Sequence, residues 1–199
     1  MRKLHIARAA VAAAAAVVLS GCHWVVGNSI IWLAQPSIER DSPNVNVDAD
    51  PGRGAYTVGL AGKPSGWDTI VARVPEIGAG EWLVVEIGTN DLTRPEAEWR
   101  TFMQEVVDLL PDDRCLAWVT PANPMYPEAA ARYESLLNAV LPGQPCSRLV
   151  QWDDALRRDP SLSADGLHPN DAGIAVITCL INQVVHQTCV YPPPPKRLD

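Results

Sequence analysis

The fold is indicated most directly by the apolar run Trp82-Leu83-Val84-Val85-Glu86-Ile87 and by Gly88-Thr89-Asn90-Asp91, which follows it. A short run of near-continuous apolar character is typical of a strand that is buried on both faces of a sheet. The small and polar residues that follow end this strand at a turn. The pattern predicts a parallel sheet whose polar, functional side chains come directly after its strands.

Four further short apolar runs alternate with longer amphipathic segments. The runs lie at 24–26, 45–47, 115–119 and 148–152. Helices are predicted from Ser29 onward and over 65–74, 96–110, 128–141 and 170–186. Strands that alternate with helices favour a parallel sheet covered on both faces. The predicted fold class is therefore α/β, a three-layer α/β/α sandwich with a parallel, flavodoxin-like five-stranded sheet.

Composition limits the classes of function. The chain has 199 residues, of which 47% are hydrophobic and 20% charged, as in one ordinary globular domain. Its 23 Asp and Glu outnumber its 16 Lys and Arg, so the formal net charge is −7. No nucleic-acid partner is expected, because phosphate binding needs a basic face. A domain of this size folds without a metal or cofactor, and neither is predicted.

The amino terminus predicts an export signal over residues 1–21. A positively charged start precedes an apolar run at 9–19, which is shorter than the roughly 20 residues of a transmembrane helix. The run ends in Leu19-Ser20-Gly21-Cys22, which resembles the bacterial lipobox, whose Cys becomes the acylated first residue of the mature protein. The alternatives are an ordinary signal peptide with a chance cysteine and an uncleaved anchor.

These segments divide the chain into a signal peptide of the lipoprotein type (1–21), one domain (22–190) and a Pro-rich tail (191–199). The domain is expected outside the cytoplasm, either secreted or held on the outer face of the cell membrane through a lipid on Cys22. A strand is predicted to begin at His23 or Trp24, which leaves almost no linker after that cysteine.

Four cysteines follow Cys22, an even number in a compartment that permits disulfides. Three pairings are possible. We favour Cys115 with Cys146, because each begins a predicted strand, and Cys179 with Cys189, which would join the C-terminal tail to the last helix. A metal site is the alternative, but no pair has Cys-x-x-Cys spacing and no His lies close by.

Polar residues form four blocks, three after strands and one before the last helix. In chain order they are Gly27-Asn28-Ser29-Ile30, Asp48-Ala49-Asp50-Pro51-Gly52-Arg53, Gly88-Thr89-Asn90-Asp91 and Asp165-Gly166-Leu167-His168-Pro169. Open parallel sheets bind ligands beyond the carboxyl ends of their strands. Together and in this order, the blocks resemble those of the SGNH (GDSL-like) hydrolase superfamily, and the resemblance spans the domain from Trp24 to the final helix. It implies acyl-ester chemistry on this same fold.

The chemistry gives three residues a reason to be present. A serine hydroxyl is a weak nucleophile, so it needs an adjacent base, and the base needs a third group that fixes its tautomer. Ser29, His168 and Asp165 are predicted to fill these catalytic roles in that order. Taken singly, each has a structural alternative, since Ser often caps a helix and Asp-Gly and His-Pro often form turns.

The resemblance also implies which groups stabilise the oxyanion of the tetrahedral intermediate. They are the backbone N–H groups of Ser29 and Gly52 and the side-chain amide of Asn90. Loss of one such donor typically costs about 100- to 1000-fold in rate. Gly54 is the alternative to Gly52, and Asp91 is expected to support its loop by hydrogen bonding.

Two features of the sequence depart from the common patterns of serine hydrolases. The first block commonly reads Gly-Asp-Ser, whereas Asn28 stands here; Asn keeps the size and loses the charge, so altered tuning of the site is expected. The Gly-x-Ser-x-Gly elbow of α/β-hydrolases is absent.

The block at 48–53 looks like that of SGNH domains attached to bacterial membrane acyltransferases, including peptidoglycan O-acetyltransferases. Trp32 and the loop at 121–127 are candidates for pocket walls.

The sequence therefore predicts an exported serine esterase that hydrolyses a small acyl ester, such as an acetyl group on a cell-envelope glycan, through an acyl-enzyme. An O-acyltransferase of envelope glycan is the alternative, with a sugar hydroxyl in place of water. A catalytically silent glycan-binding module is a third hypothesis, for which Asn28 is the only hint. The expected partners are the ester substrate and, through Cys22, the membrane; the protein is expected to be a monomer.

Overall fold

The computed structural model describes residues 22–189, and its centre is one parallel sheet. The strands are His23–Gly27 (β1), Val45–Ala49 (β2), Trp82–Glu86 (β3), Cys115–Val119 (β4) and Cys146–Val150 (β5). Their spatial order is β2-β1-β3-β4-β5, and every neighbouring pair is parallel. The predicted α/β sandwich with a flavodoxin-like five-stranded sheet is confirmed.

Six α-helices within the described residues cover the two faces of the sheet. They are Ser29–Asp41 (α1), Gly66–Arg73 (α2), Glu96–Leu109 (α3), Pro127–Val140 (α4), Trp152–Arg158 (α5) and Asp171–Val185 (α6). The second, third and fourth pack on one face and the first, fifth and sixth on the other. The sheet is therefore buried on both sides, which explains the continuous apolar runs of its central strands.

Strand β3 shows how the sequence fills both layers. Its alternate residues Leu83 and Val85 join the core beneath α2, α3 and α4, whereas Trp82 and Val84 join the core beneath α1, α5 and α6. This alternation follows from the two-residue period of a strand. The carboxyl end of β3 leads directly into the block that contains Asn90.

One predicted strand boundary is wrong. The run at 148–152 was expected to be a strand, but β5 ends at Val150 and Trp152 begins α5, a helix that the sequence analysis did not predict. Acidic residues in the first turn of this helix and Arg157 and Arg158 in its last turn suit the helix dipole. The fully buried Trp152 extends the apolar run without belonging to the sheet.

Both predicted disulfides are present. Cys115 and Cys146 are register partners at the starts of β4 and β5, with their Cα atoms 4.7 Å apart. Cys179 on α6 is bonded to Cys189, with a Cα separation of 5.4 Å. Cys22 forms no disulfide within residues 22–189.

The predicted signal peptide (1–21) and Pro-rich tail (191–199) lie outside the described residues. In the part of the chain that the structure describes, no helix combines the length and the apolar character needed to cross a bilayer.

Candidate active site

The turn between β1 and α1 carries Ser29 at the first position of the helix. Asn28 is the N-cap, and its Oδ1 accepts the backbone N–H of Ile30 at 3.0 Å. The alternative that Ser29 itself caps the helix is therefore wrong. The N–H of Ser29 has no acceptor within residues 22–189, so it remains one of the free donors at the positive end of α1.

The structure brings the three predicted catalytic residues together. Ser29 Oγ lies 3.0 Å from His168 Nε2, although 139 residues separate them in sequence. On the other side of the imidazole, His168 Nδ1 lies 2.7 Å from Asp165 Oδ2. A hydroxyl, an imidazole and a carboxylate thus form one continuous line of polar contacts.

The loop that carries His168 is shaped by Asp165. Its Oδ1 accepts the backbone N–H groups of Leu167 at 2.9 Å and His168 at 2.7 Å, and the hydroxyl of Ser163 at 3.0 Å. Gly166 takes a φ of +77°, which glycine adopts without a steric penalty. The aspartate therefore folds its own loop with one oxygen and orients the imidazole with the other.

The protonation of this pair follows from its contacts. Partial desolvation raises the pKa of Asp165, but hydrogen bonds from the His168 side chain and from three further donors outweigh it and hold that pKa well below its usual range. Asp165 is therefore a carboxylate at neutral pH. An acceptor beside Nδ1 keeps the proton of a neutral imidazole on that nitrogen, which leaves Nε2 free to accept the proton of Ser29.

Besides the N–H of Ser29, the predicted oxyanion donors lie on the two loops that follow β2 and β3. Asn90 is exposed, and its Nδ2 uses one hydrogen to donate to the carbonyl of Arg53 at 3.0 Å. The N–H of Gly54 is occupied by the carbonyl of Thr57 at 3.1 Å, whereas that of Gly52 has no acceptor among the described residues. The geometry thus favours Gly52, which has a φ of +72°, over its alternative.

Asp91 connects these two loops. Its Oδ2 accepts the backbone N–H of Ala55 at 2.9 Å, and Arg94 lies 3.4 Å from Oδ1. Burial raises the pKa of this carboxyl, against the lowering effects of the Ala55 hydrogen bond and of the nearby Arg94. Asp91 holds the loop after β2 against the loop that presents Asn90.

Solved structures with the same architecture come from bacterial acyl-ester enzymes. The C-terminal catalytic domain of Streptococcus pneumoniae peptidoglycan O-acetyltransferase A is similar with a TM-score of 0.67 and 14% identity, over 82% of this chain and 92% of that one. A member of the lipolytic G-D-S-L family from Veillonella parvula follows with a TM-score of 0.63 and 13% identity, over 81% and 96% of the two chains. This is the SGNH hydrolase fold.

The aryl esterase of M. smegmatis shares the SGNH hydrolase fold with a TM-score of 0.55 and 11% identity, over 81% of this chain and 97% of that one. No protein-family model and no curated protein sequence matches the chain. The likeness therefore lies in three-dimensional structure, at sequence identities too low to carry over a substrate.

Glu86 is a residue of the site that the sequence analysis missed. It is the last residue of β3 and is only 1% exposed. Its carboxyl accepts the backbone N–H and the side-chain amide of Asn28, both at 3.2 Å, and the hydroxyl of Thr89 at 3.1 Å. Burial raises its pKa to about 8, against the lowering effect of these donors. The one charged residue in an apolar strand was the available signal.

Arg53 is the second residue that was missed. It is fully buried, and its guanidinium donates to the carbonyl of Asp48 at 2.7 Å, to its carboxylate at 2.9 Å and to the carbonyl of Gly27 at 3.4 Å. Desolvation raises the pKa of Asp48, but the hydrogen bonds from Arg53 and Arg73 lower it more. Arg53 thus ties the end of β2 to the end of β1, where the turn that carries Ser29 begins. We call residues 27–29 the nucleophile turn, after the predicted role of Ser29.

A cavity of about 270 Å³ lies beside the loop of Asp165 and His168. Its largely apolar walls include Pro121, Pro124, Ala130, Leu156, Pro160 and Gly166, so the loop at 121–127 lines a pocket. Trp32, on the first turn of α1, is 50% exposed, and Met125 is 70% exposed. Large apolar side chains are therefore exposed to solvent on the segments that follow β1 and β4.

Proposed function

We propose that the protein is an exported serine esterase that hydrolyses a small acyl ester through an acyl-enzyme intermediate. The observation that carries the proposal is the 3.0 Å contact between Ser29 Oγ and His168 Nε2, continued by the 2.7 Å contact from Nδ1 to Asp165. A hydroxyl within reach of a base that is itself oriented by a carboxylate is the arrangement that nucleophilic acyl transfer requires.

In the first half of the reaction, Ser29 Oγ attacks the carbonyl carbon of the ester while His168 Nε2 takes the hydroxyl proton. The carboxylate of Asp165 stabilises the resulting imidazolium through the Nδ1 hydrogen bond. The alcohol then leaves with the proton from Nε2. In the second half, His168 activates water, which attacks the acyl-enzyme and releases the acid and Ser29.

The tetrahedral intermediate of each half carries a negative oxygen. The free N–H groups of Ser29 and Gly52 and the second hydrogen of the Asn90 amide are the donors proposed for it. Fixed donors of this kind stabilise charge that develops in the transition state without having to reorganise. The Ser29 donor also lies at the positive end of α1, which favours an anion.

An O-acyltransferase is the second candidate, because one similar structure is the catalytic domain of a peptidoglycan O-acetyltransferase. Its first half would be identical, and a sugar hydroxyl would replace water in the second. The same proposal names an acyl group on a cell-envelope glycan as the substrate class. The contacts among Ser29, His168 and Asp165 favour either enzyme over a silent glycan-binding module.

Export and anchoring belong to the same proposal. Two disulfides are typical of proteins in oxidising compartments outside the cytoplasm. Acylation of Cys22 would hold a monomer on the outer face of the membrane. Mass spectrometry of the amino-terminal peptide from membrane fractions tests this, since a peptide that begins at an unmodified Cys22 or at Met1 contradicts it.

The decisive test is hydrolysis of p-nitrophenyl acetate by the purified protein and by its Ser29→Ala variant. We expect the substitution to lower kcat/KM by roughly 10⁴-fold or more. Ser135→Ala, on the exposed side of α4, is the matched control and is expected to keep wild-type activity. Added glycan oligomers that become acylated would identify the transferase.

If wild type and Ser29→Ala were equally inert while both were folded by circular dichroism, the esterase proposal would be wrong. Reaction of Ser29 with a fluorophosphonate would in that case still distinguish a donor-specific acyltransferase from a silent module.

A further inference from the structure

The strongest unused feature of the molecule is the carboxyl of Glu86, which lies buried beneath the nucleophile turn. Its two oxygens meet two donors of the same residue. Oε2 accepts the backbone N–H of Asn28 and Oε1 accepts its Nδ2, each at 3.2 Å. Oε1 also accepts the hydroxyl of Thr89 at 3.1 Å. Both residues of this pair are almost completely shielded from solvent.

The orientation of the Asn28 amide is fixed by its other contact. Oδ1 accepts the N–H of Ile30 at 3.0 Å as the cap of α1, so the NH₂ group has to face Glu86. The carbonyl oxygen of the Asn28 side chain thus points toward α1, and its NH₂ group points toward the end of β3. The side chain has no second arrangement that would satisfy both neighbours.

Only a carboxyl offers an acceptor at both positions that face Asn28. Glutamine would present one oxygen and one NH₂, so one donor of Asn28 would meet another donor. An apolar residue would fill the strand position and leave two buried donors unpaired, which is costly. The hydroxyl of Thr89 both donates and accepts, so the arrangement accommodates Glu86 with or without its proton.

We infer that Glu86 is a positioning residue for the nucleophile. Through Asn28 it fixes the turn that presents Ser29, and through Thr89 it joins this turn to the loop that presents Asn90. Within residues 22–189, the hydrogen bonds of the Glu86 side chain are with Asn28 and Thr89, and none is with Ser29, His168 or Asp165. The catalytic consequence of the pair rests on the proposed function, whereas its effect on the geometry of the turn does not.

The pair can be tested by exchanging its donor and its acceptor. Glu86→Gln sets a donor against a donor, and Asn28→Asp sets two carboxyl oxygens about 3.2 Å apart, a contact that is stable only while the two carboxyl groups share a proton. In the double variant, the amide at position 86 donates to the carboxylate at position 28. The oxygen of the same amide accepts the backbone N–H at position 28. Complementarity is then restored with the charge on the other side.

We expect Glu86→Gln to lower kcat for ester hydrolysis by about 10- to 100-fold with KM nearly unchanged, because small misplacement of a reacting group has costs of this order. Asn28→Asp is expected to lose activity progressively as the pH rises. The double variant should recover most of the loss of each single variant. Glu81→Gln, the same change at the start of the β3 segment, is the matched control and should match wild type.

Hydrogen exchange of the backbone over residues 27–31 gives a readout that does not depend on turnover. Faster exchange in Glu86→Gln and protection regained in the double variant are expected. Should Glu86→Gln fail to fold, Thr89→Val tests the same linkage, and it should speed exchange over residues 88–91 and lower kcat.

Wild-type kcat and protection in folded Glu86→Gln would overturn the inference, as would effects of the two single substitutions that simply add in the double variant. Unchanged exchange and kcat in Thr89→Val would overturn the link to the Asn90 loop. A wild-type protein that is inert toward esters, yet shows the expected exchange pattern, would contradict the proposed function and leave the pairing supported.

Discussion

The two loops that bring Ser29 and His168 together are held in opposite ways. The nucleophile turn is fixed from below by Asn28, which is fully buried and bonded to Glu86, a residue 58 positions away in sequence. The loop of His168 is more open. Asp165, whose side chain is 56% exposed, forms its hydrogen bonds among residues 22–189 with residues no more than three positions away.

Substitutions in the two loops should therefore differ in how they affect stability and activity. Ser29, the proposed nucleophile, is placed by contacts that belong to the core, so changes there are expected to affect folding and activity together. His168, the proposed base, is placed by a local turn, so changes there are expected to lower activity and leave the free energy of unfolding almost unaltered.

The greatest loss of activity is expected when the imidazole of His168 is removed. His168→Ala should lower kcat/KM by about 10⁴-fold or more, because the general base is lost. The thermal unfolding midpoint should stay close to that of wild type, since the side chain is 40% exposed. His186→Ala, which removes an imidazole at the end of α6, is the matched control for activity. A substantial fall in the midpoint for His168→Ala would remove the distinction between the two loops.

An intermediate effect is expected for Asn90, on the loop that follows β3. Asn90→Ala should lower kcat by about 100- to 1000-fold if its amide stabilises the oxyanion. Asn138→Ala on α4 removes a similar exposed amide that donates to a backbone carbonyl and should have no effect on kcat. Equal, small effects of both substitutions would assign Asn90 to loop structure alone.

The smallest expected effect is a pH dependence of stability that belongs to the nucleophile turn. Burial raises the pKa of Glu86 from 4.5 to about 8. Between these values the folded protein holds a proton that the unfolded chain has lost, so the free energy of unfolding falls as the pH rises. The slope can reach about 1.4 kcal/mol per pH unit.

Several groups face Glu86 and enter this titration. The Asp91 carboxylate raises the pKa, the donors of Asn28 and Thr89 lower it, and the buried Tyr133 hydroxyl interacts with the same carboxyl. Urea denaturation at pH 5, 6, 7 and 8 should show the decline in wild type and a flatter profile in Glu86→Gln. The pKa of Asp165 is lowered, so Asp165→Asn should leave the decline in place. A Glu86→Gln profile parallel to that of wild type would mean that the buried carboxyl stays charged, because the opposite contribution of His23, whose pKa is lowered by burial, is common to both proteins.

The sheet was predictable because its central strands are buried on both faces. β3 and β4 are buried at every position and therefore form unbroken apolar runs. The edge strand β5 is only half-buried over most of its length, so its boundary was misplaced toward Trp152. The Cys115–Cys146 disulfide could be predicted because each cysteine begins a strand, and the parallel register of β4 and β5 places the two side by side.

The site was predictable only in part. Ser29, Asp165 and His168 could be proposed because ester chemistry needs these residue types and the strand ends gather them. The structure brings them together, and their catalytic roles remain proposals.

The roles of Glu86 and Arg53 were not predicted. The charge of Glu86 in an apolar strand was a signal, but its partner Asn28 is 58 positions away. Arg53 bonds to the nearby Asp48, and only the folded chain shows that it also reaches Gly27 at the end of β1.

The short path from Cys22 to Ser29 has a geometric consequence. β1 begins directly after this cysteine and ends two residues before the serine, so Cys22 and Ser29 lie beyond opposite ends of a five-residue strand, which is about 17 Å long. An acyl chain on Cys22 would set the amino edge of the sheet against the bilayer with no spacer to let the domain turn over. Ser29, the proposed nucleophile, would then stand at a fixed height above the membrane and face outward, toward esters on polymers and away from those of the lipids below.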